Sequence, residues 1–181
     1  MKKTDVKDII VGGIVNLIFL TLACVFARIF SNMSVKLVDL FVKLEFISAS
    51  GVRAVTLFLG SAFFALLFSR MYGYHTLAFD KTETPLSALA GALMHFVLSF
   101  VTVFSPWVAG ATKHVGGFIA FGERYTKSDY MKLIPMPTLI LVGLVTALIY
   151  AGLLVLGTYV GTKKRIYDRA ELLGENPAEE K

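Results

Sequence analysis

Four long apolar stretches fill most of this chain of 181 residues and limit what it can fold into. They cover residues 9–27, 54–69, 85–112 and 133–162, and the first contains no charged residue. A helix that crosses a bilayer needs about 20 mostly apolar residues, because the hydrocarbon layer is about 30 Å thick and a helix rises about 1.5 Å per residue. Each stretch reaches or approaches that length. The sequence therefore predicts an all-α integral membrane protein with four transmembrane helices.

The composition agrees with this class and argues against a nucleic-acid-binding protein. Hydrophobic residues make up 56% of the chain and charged residues 17%, whereas about 25% of a soluble domain is charged. The formal net charge is +5, but the basic residues gather at the ends of the apolar stretches, where lipid headgroups would meet them. The single cysteine, Cys24, excludes an internal disulfide, and we predict that it is buried and inert.

Two segments between the apolar stretches have a different pattern. In residues 35–47, Lys36, Asp39 and Lys43 share one helical face and apolar residues occupy much of the rest. This pattern predicts an interfacial amphipathic helix between the first and second transmembrane helices, although the second helix could instead begin here and kink at Gly51. Pro106 interrupts the third stretch, and the glycine-rich residues 108–121 that follow could be re-entrant or interfacial.

The ends of the chain indicate its domain division and orientation. Residues 1–162 are predicted to form one four-helix transmembrane domain, followed by a basic and then acidic tail over residues 163–181. With four spans, both termini lie on the same side of the membrane. That side would carry ten basic residues and the opposite side eight. We predict that both termini are cytoplasmic, in the plasma (inner) membrane. The basic cluster Lys163, Lys164 and Arg165 is suited to contact with lipid headgroups.

The most distinctive polar residues inside the apolar stretches lie in the third one. Ser87, His95 and Ser99 recur together with Gly91 at intervals of four and so form one stripe along a helix, with Thr102 seven residues beyond His95. Intramembrane titratable residues usually face the bundle interior or a wet cavity. His95 could relay protons or contact a ligand. The simpler alternative is a neutral imidazole that is hydrogen-bonded to a neighbouring helix through Asn16, Thr56 or Ser61.

The fourth apolar stretch carries small residues at intervals typical of close helix packing. They are Gly143, Ala147, Ala151, Gly157 and Gly161, and the last two form a G-x-x-x-G pattern. Small residues allow two helix backbones to approach closely in lipid. This face could dock a second copy or another membrane protein, but packing within the same four-helix bundle is the favoured interpretation. Asn16 in the first stretch is likewise a candidate for an interhelical hydrogen bond.

No familiar catalytic or cofactor-binding pattern stands out in the sequence. It has no phosphate-binding glycine loop, no H-E-x-x-H, no G-x-S-x-G and no paired intramembrane carboxylates. We therefore expect no catalytic residues, no metal and no cofactor. The leading hypothesis is an accessory, assembly or regulatory subunit that acts through helix contacts, with the lipid bilayer and another membrane protein or a second copy as partners. The alternative is a small transporter or channel-forming oligomer with a polar path near His95.

Overall fold

The chain is all-helical in the part that the computed structural model describes, residues 6–41, 49–76, 79–104 and 136–173. At some helix ends, including residues 34–41, 49–55 and 101–104, it describes the backbone alone. Four helices follow one another along the chain: α1 (Val6–Phe41), α2 (Ala49–Thr76), α3 (Glu83–Phe104) and α4 (Met136–Leu173).

Three of the four helices contain a segment that is long and apolar enough to cross a membrane. These segments are Val6–Ser31 in α1, Thr56–Thr76 in α2 and Ile140–Leu172 in α4. Helix α3 has 22 residues and is not among these candidates. The prediction of a helical integral membrane protein is thus supported by three candidate spans.

The described part of the chain does not show a separate interfacial helix after the first span. Helix α1 continues without a break to Phe41, so it includes the first half of the amphipathic residues 35–47. Residues 42–48 lie outside the described residues, and so do residues 108–121, for which a re-entrant piece was considered.

The helices form a closed ring in the order α1, α2, α4, α3. Gly12 on α1 lies beside Ser87 on α3, and Gly73 on α2 lies beside Thr158 on α4, all at the same end of the bundle. Helices α1 and α3 therefore run in one direction and α2 and α4 in the other. We call this end, at which α1 and α3 begin, the N-terminal end.

Side chains are distributed as expected for a bundle that is solvated by lipid. The buried core consists of small residues with a few large ones, among them Leu20, Tyr150 and Leu154. Large apolar side chains such as Ile18 and Leu148 point outward. Several polar side chains are buried instead, because hydrocarbon offers them no hydrogen-bond partner.

Glycines bring α2 and α4 into close contact near the N-terminal end. A Cβ atom on Gly157 would collide with the Ser69 hydroxyl and the Leu66 carbonyl, and one on Gly161 would collide with the Arg70 carbonyl. In lipid, helices associate through this kind of close packing rather than through the hydrophobic effect. The G-x-x-x-G pattern of α4 is thus used within the chain.

Helix α3 begins with a cap formed by Asp80. Its Oδ1 accepts hydrogen bonds from the backbone N–H groups of Thr82, at 2.7 Å, and Glu83, at 3.0 Å, while its own N–H donates to Thr84 Oγ1 at 2.9 Å. These bonds satisfy N–H groups that have no partner within the helix. A Thr-Pro pair such as Thr84 and Pro85 is typical of a helix start, but here the capping residue lies four positions earlier.

Helix α4 extends well beyond the thickness of a bilayer. Its 38 residues span about 57 Å at about 1.5 Å per residue, compared with a hydrocarbon layer of about 30 Å. The helix runs without interruption from the apolar segment through the basic cluster at Lys163 to Leu173. The first part of the tail is therefore a rigid continuation of α4.

Candidate functional site

The polar stripe of α3 faces the interior of the bundle. Ser87 and Gly91 are buried against α1, and His95 and Ser99 are completely buried, with 0% of each exposed. Thr102 lies in α3, but its side chain is outside the described residues. The four-residue spacing that the sequence shows thus corresponds to one inward-facing line of side chains.

His95 meets Cys24 across the interface between α3 and α1. The distance between His95 Nε2 and Cys24 Sγ is 3.9 Å, and both side chains are buried. A thiol is a weak hydrogen-bond donor and acceptor, so this contact is a weak polar link between the two helices.

Ser61 and Tyr150 complete the set of polar side chains around this contact. Ser61 donates a hydrogen bond to the Leu57 carbonyl at 2.6 Å and lies beside the Cys24 and Tyr150 side chains. The Tyr150 hydroxyl is 3.5 Å from the Phe58 carbonyl oxygen. We call Cys24, Ser61, His95 and Tyr150 the central cluster. It takes one residue from each of the four helices.

The central cluster is sealed by its neighbours. Apolar core residues, among them Leu20, Phe96 and Leu154, pack in the same interior, and all four cluster side chains are buried. A cysteine thiol can act as a nucleophile with a histidine as its base when the two side chains are within hydrogen-bonding distance and a substrate can reach them. Here Cys24 Sγ and His95 Nε2 are 3.9 Å apart, and both side chains are buried. The arrangement links four helices at one level of the bundle.

Sequence reasoning identified two members of the central cluster and did not recognise the other two as part of a site. His95 was a candidate and Ser61 one of its possible partners, whereas Cys24 was expected to be buried and inert and Tyr150 was not singled out. The available signal was that Cys24 and Tyr150 carry a thiol and a hydroxyl within long apolar runs.

Asn16 does not pair with His95 but lines a cavity at the N-terminal end of the bundle. We call it the end cavity, and its volume is about 220 Å³. All four helices contribute to its wall: α1 provides Asn16, α2 provides Tyr72, α3 provides Ser87 and α4 provides Thr158. Thr56, another suggested partner of His95, donates a hydrogen bond to Ser31 Oγ at 2.7 Å.

The small residues of α4 all pack within the bundle. Gly143 lies against the Phe96 ring, Ala147 and Ala151 are buried in the core, and Gly157 and Gly161 contact α2. The face that they form is therefore occupied by this chain. On the opposite side of α4, a Cβ atom on Gly152 would meet no atom within 4 Å.

The basic cluster lies on the extension of α4 and is partly held by α2. Lys163 and Lys164 are exposed, whereas the Arg165 guanidinium carbon lies 5.2 Å from the centroid of the Tyr74 ring. The Tyr74 hydroxyl donates a hydrogen bond of 3.0 Å to Asp168 Oδ2. These two contacts fix the direction of the helix beyond its apolar segment.

Within the described ranges, no three His, Cys, Asp or Glu side chains lie together as a metal site would require. Comparisons of the chain with family models, with curated proteins and with solved structures found no match.

Proposed function

We propose that this protein is an accessory, assembly or regulatory subunit that acts through helix contacts with a partner membrane protein. The observation that carries the proposal is the helical extension of α4, residues 163–173, with apolar side chains that the described part of the chain leaves exposed. Ile166 is 57% exposed and Tyr167 55%, and both lie on the same side of α4 as Gly152. Because α4 is longer than a bilayer is thick, its far end leaves the hydrocarbon layer, and exposed apolar side chains there favour contact with another protein.

The anchoring of this extension supports the same function. Because α2 holds it through the Tyr74–Asp168 hydrogen bond and the Arg165–Tyr74 contact, its exposed side chains have a defined direction. A surface that is already ordered loses less conformational entropy when a partner binds. We therefore place the partner contact on the extension and on the outward side of α4 near Gly152, and not on the small-residue face.

We also propose how the helices are arranged relative to the membrane. We place α3 as a fourth transmembrane helix, because it runs alongside α1 and its polar side chains face inward. Residues 35–47 would then lie at the interface that follows α1. With four spans, both termini face the cytoplasm of an inner membrane, where the basic residues of the α4 extension meet anionic headgroups.

The test is purification of the full chain from its native membranes in a mild detergent, with the mass of the complex measured by light scattering. We expect a second membrane protein in stoichiometric amount, and we expect it to be lost from the double variant Ile166→Glu, Tyr167→Glu. Glu171→Gln changes an exposed residue of the same extension and should retain the partner. A pure homo-oligomer would overturn the proposal.

A small transporter or channel-forming oligomer is the second candidate, and one observation favours it. The stripe of α3 runs from the end cavity at Ser87 to the central cluster at His95, so polar groups reach from one end of the bundle to its interior. If this line carries a solute, His95→Ala and the more conservative His95→Gln will abolish flux in reconstituted vesicles while circular dichroism shows intact helices. Unchanged flux in both variants would eliminate this candidate.

A further inference from the structure

The end cavity carries negative charge near the start of two helices. Asp8 lies in the first turn of α1 and Glu83 in the first turn of α3, and both line the cavity. The amino end of a helix has an effective charge of about +0.5, so two carboxylates more than offset two helix ends. No Lys, Arg or His is among the described lining residues. The cavity therefore favours a cation.

The buried hydroxyl groups of the cavity present oxygen lone pairs. Ser87 donates its hydrogen to the Thr84 carbonyl at 3.0 Å, and Thr158 donates to the Leu154 carbonyl at 2.9 Å. A hydroxyl has one hydrogen to donate and two lone pairs to accept with. Because both hydrogens are used on the backbone, these oxygens can only accept hydrogen bonds from a ligand.

Asn16 is a buried polar side chain that faces the cavity without a partner. It is 8% exposed and lines the cavity, and among the described residues no hydrogen bond involves its side chain. Its amide is not one of the fully buried side-chain groups that lack a partner, so it is open to the cavity and can hydrogen-bond to a ligand there. This observation is independent of the two carboxylates and indicates a ligand at the same place.

The size of the cavity indicates the class of cation. The volume of about 220 Å³ is well above the roughly 10–15 Å³ that one water molecule needs. This space exceeds what a bare metal ion needs and is below the usual range of drug-sized pockets. An alkylammonium group offers three N–H donors, and they match the carboxylates, the Asn16 carbonyl and the hydroxyl oxygens.

We propose that the end cavity binds a small organic ammonium ion, a primary amine in its charged form. Asp8 and Glu83 balance its charge, and Asn16, Ser87 and Thr158 accept its hydrogen bonds. The ammonium could belong to a soluble amine or to the ethanolamine headgroup of a lipid, since the cavity lies at the end of the bundle. The proposal does not depend on the partner protein proposed above.

The experiment is calorimetric titration of 1,4-diaminobutane into the full chain in nanodiscs of phosphatidylcholine. We expect saturable binding near one ligand per chain and none of the neutral isostere 1,4-butanediol. Asn16→Leu should weaken binding by at least about tenfold, because hydrogen bonds to a charged ligand are lost. The double variant Asp8→Asn, Glu83→Gln should abolish binding. Glu171→Gln removes the same kind of charge outside the cavity and should bind like the natural chain.

A second set of nanodiscs distinguishes the two sources of the ammonium. If phosphatidylethanolamine replaces part of the phosphatidylcholine and weakens the apparent affinity for 1,4-diaminobutane, the lipid headgroup is the occupant. An unchanged affinity assigns the site to a soluble amine. Absence of saturable binding by the natural chain would overturn the proposal. So would an equal loss in Glu171→Gln, or binding of Ca²⁺ in place of the amine with the same dependence on Asn16.

Discussion

Cys24 and His95, 71 positions apart in sequence, face each other inside the bundle with 3.9 Å between Sγ and Nε2. The contact joins α1 and α3, which run in the same direction. Ser61 from α2 and Tyr150 from α4 lie beside it, so that all four helices meet in one polar layer. Buried polar contacts can specify which helices of a bundle pack together, because a different arrangement of the helices would leave the polar groups without partners.

The burial of Cys24 predicts slow reaction with thiol reagents. The side chain is 6% exposed, so labelling by a water-soluble maleimide requires an opening of the bundle. We expect the folded protein in detergent to react at least about tenfold more slowly than a Cys24→Ser, Lys163→Cys reference, whose cysteine is exposed. Denaturation in sodium dodecyl sulfate should remove the difference. Equal rates in the folded proteins would contradict the burial of Cys24.

Gly157→Ala is expected to destabilise the bundle. The added Cβ would collide with the Ser69 hydroxyl and the Leu66 carbonyl, so that α2 and α4 must separate. Overpacking of this kind costs about 1–3 kcal/mol, which should lower the Tm of the protein in detergent. Gly152→Ala is the matched control, because its Cβ meets nothing within 4 Å and alanine favours a helix. If both variants melt alike, the close contact is not present.

Asp80→Ala should weaken the start of α3. The carboxylate accepts two backbone N–H hydrogen bonds there, and loss of such a cap costs about 1 kcal/mol. We expect faster hydrogen exchange over residues 82–86 and a lower Tm. Lys81→Ala, which changes an exposed neighbour, should leave both unchanged. Exchange that does not respond to Asp80→Ala would show that this helix start does not depend on the cap.

Tyr74→Phe should loosen the extension of α4. The substitution removes the hydrogen bond to Asp168 but keeps the aromatic ring under Arg165. A hydrogen bond to a protein group is worth about 1 kcal/mol, so amide exchange over residues 165–172 should rise about fivefold. Tyr167→Phe, at an exposed tyrosine on the extension itself, is the control. An unchanged exchange rate in Tyr74→Phe would mean that other contacts hold the extension.

Part of the site could be predicted from the sequence and part could not. The spacing of Ser87, Gly91, His95 and Ser99 indicated one face of one helix, because a helical repeat is a local property. The identity of the partner of His95 was not predictable in the same way. Asn16 and Thr56 were reasonable candidates by residue type, but Asn16 lies at the end cavity and Thr56 bonds to Ser31.

The end cavity could not be predicted from the sequence either. Asp8 and Glu83 lie in the first turns of two helices far apart in sequence. Neither is unusual there, because acidic residues commonly occupy the first turn of a helix. Only when α1 and α3 pack side by side do the two carboxylates line one space with Asn16 between the helices.

The sequence by itself determined that the chain is helical and suited to a lipid environment, since hydropathy and segment length are local properties of neighbouring residues. It also determined which residues of α4 could allow close packing. The tertiary structure alone decided that Gly157 and Gly161 contact α2 within this chain, and that Cys24 meets His95. The physical reason is that such contacts depend on the rotation and depth of each helix relative to its neighbours. No single helix contains that information, because it arises when four helices pack against one another.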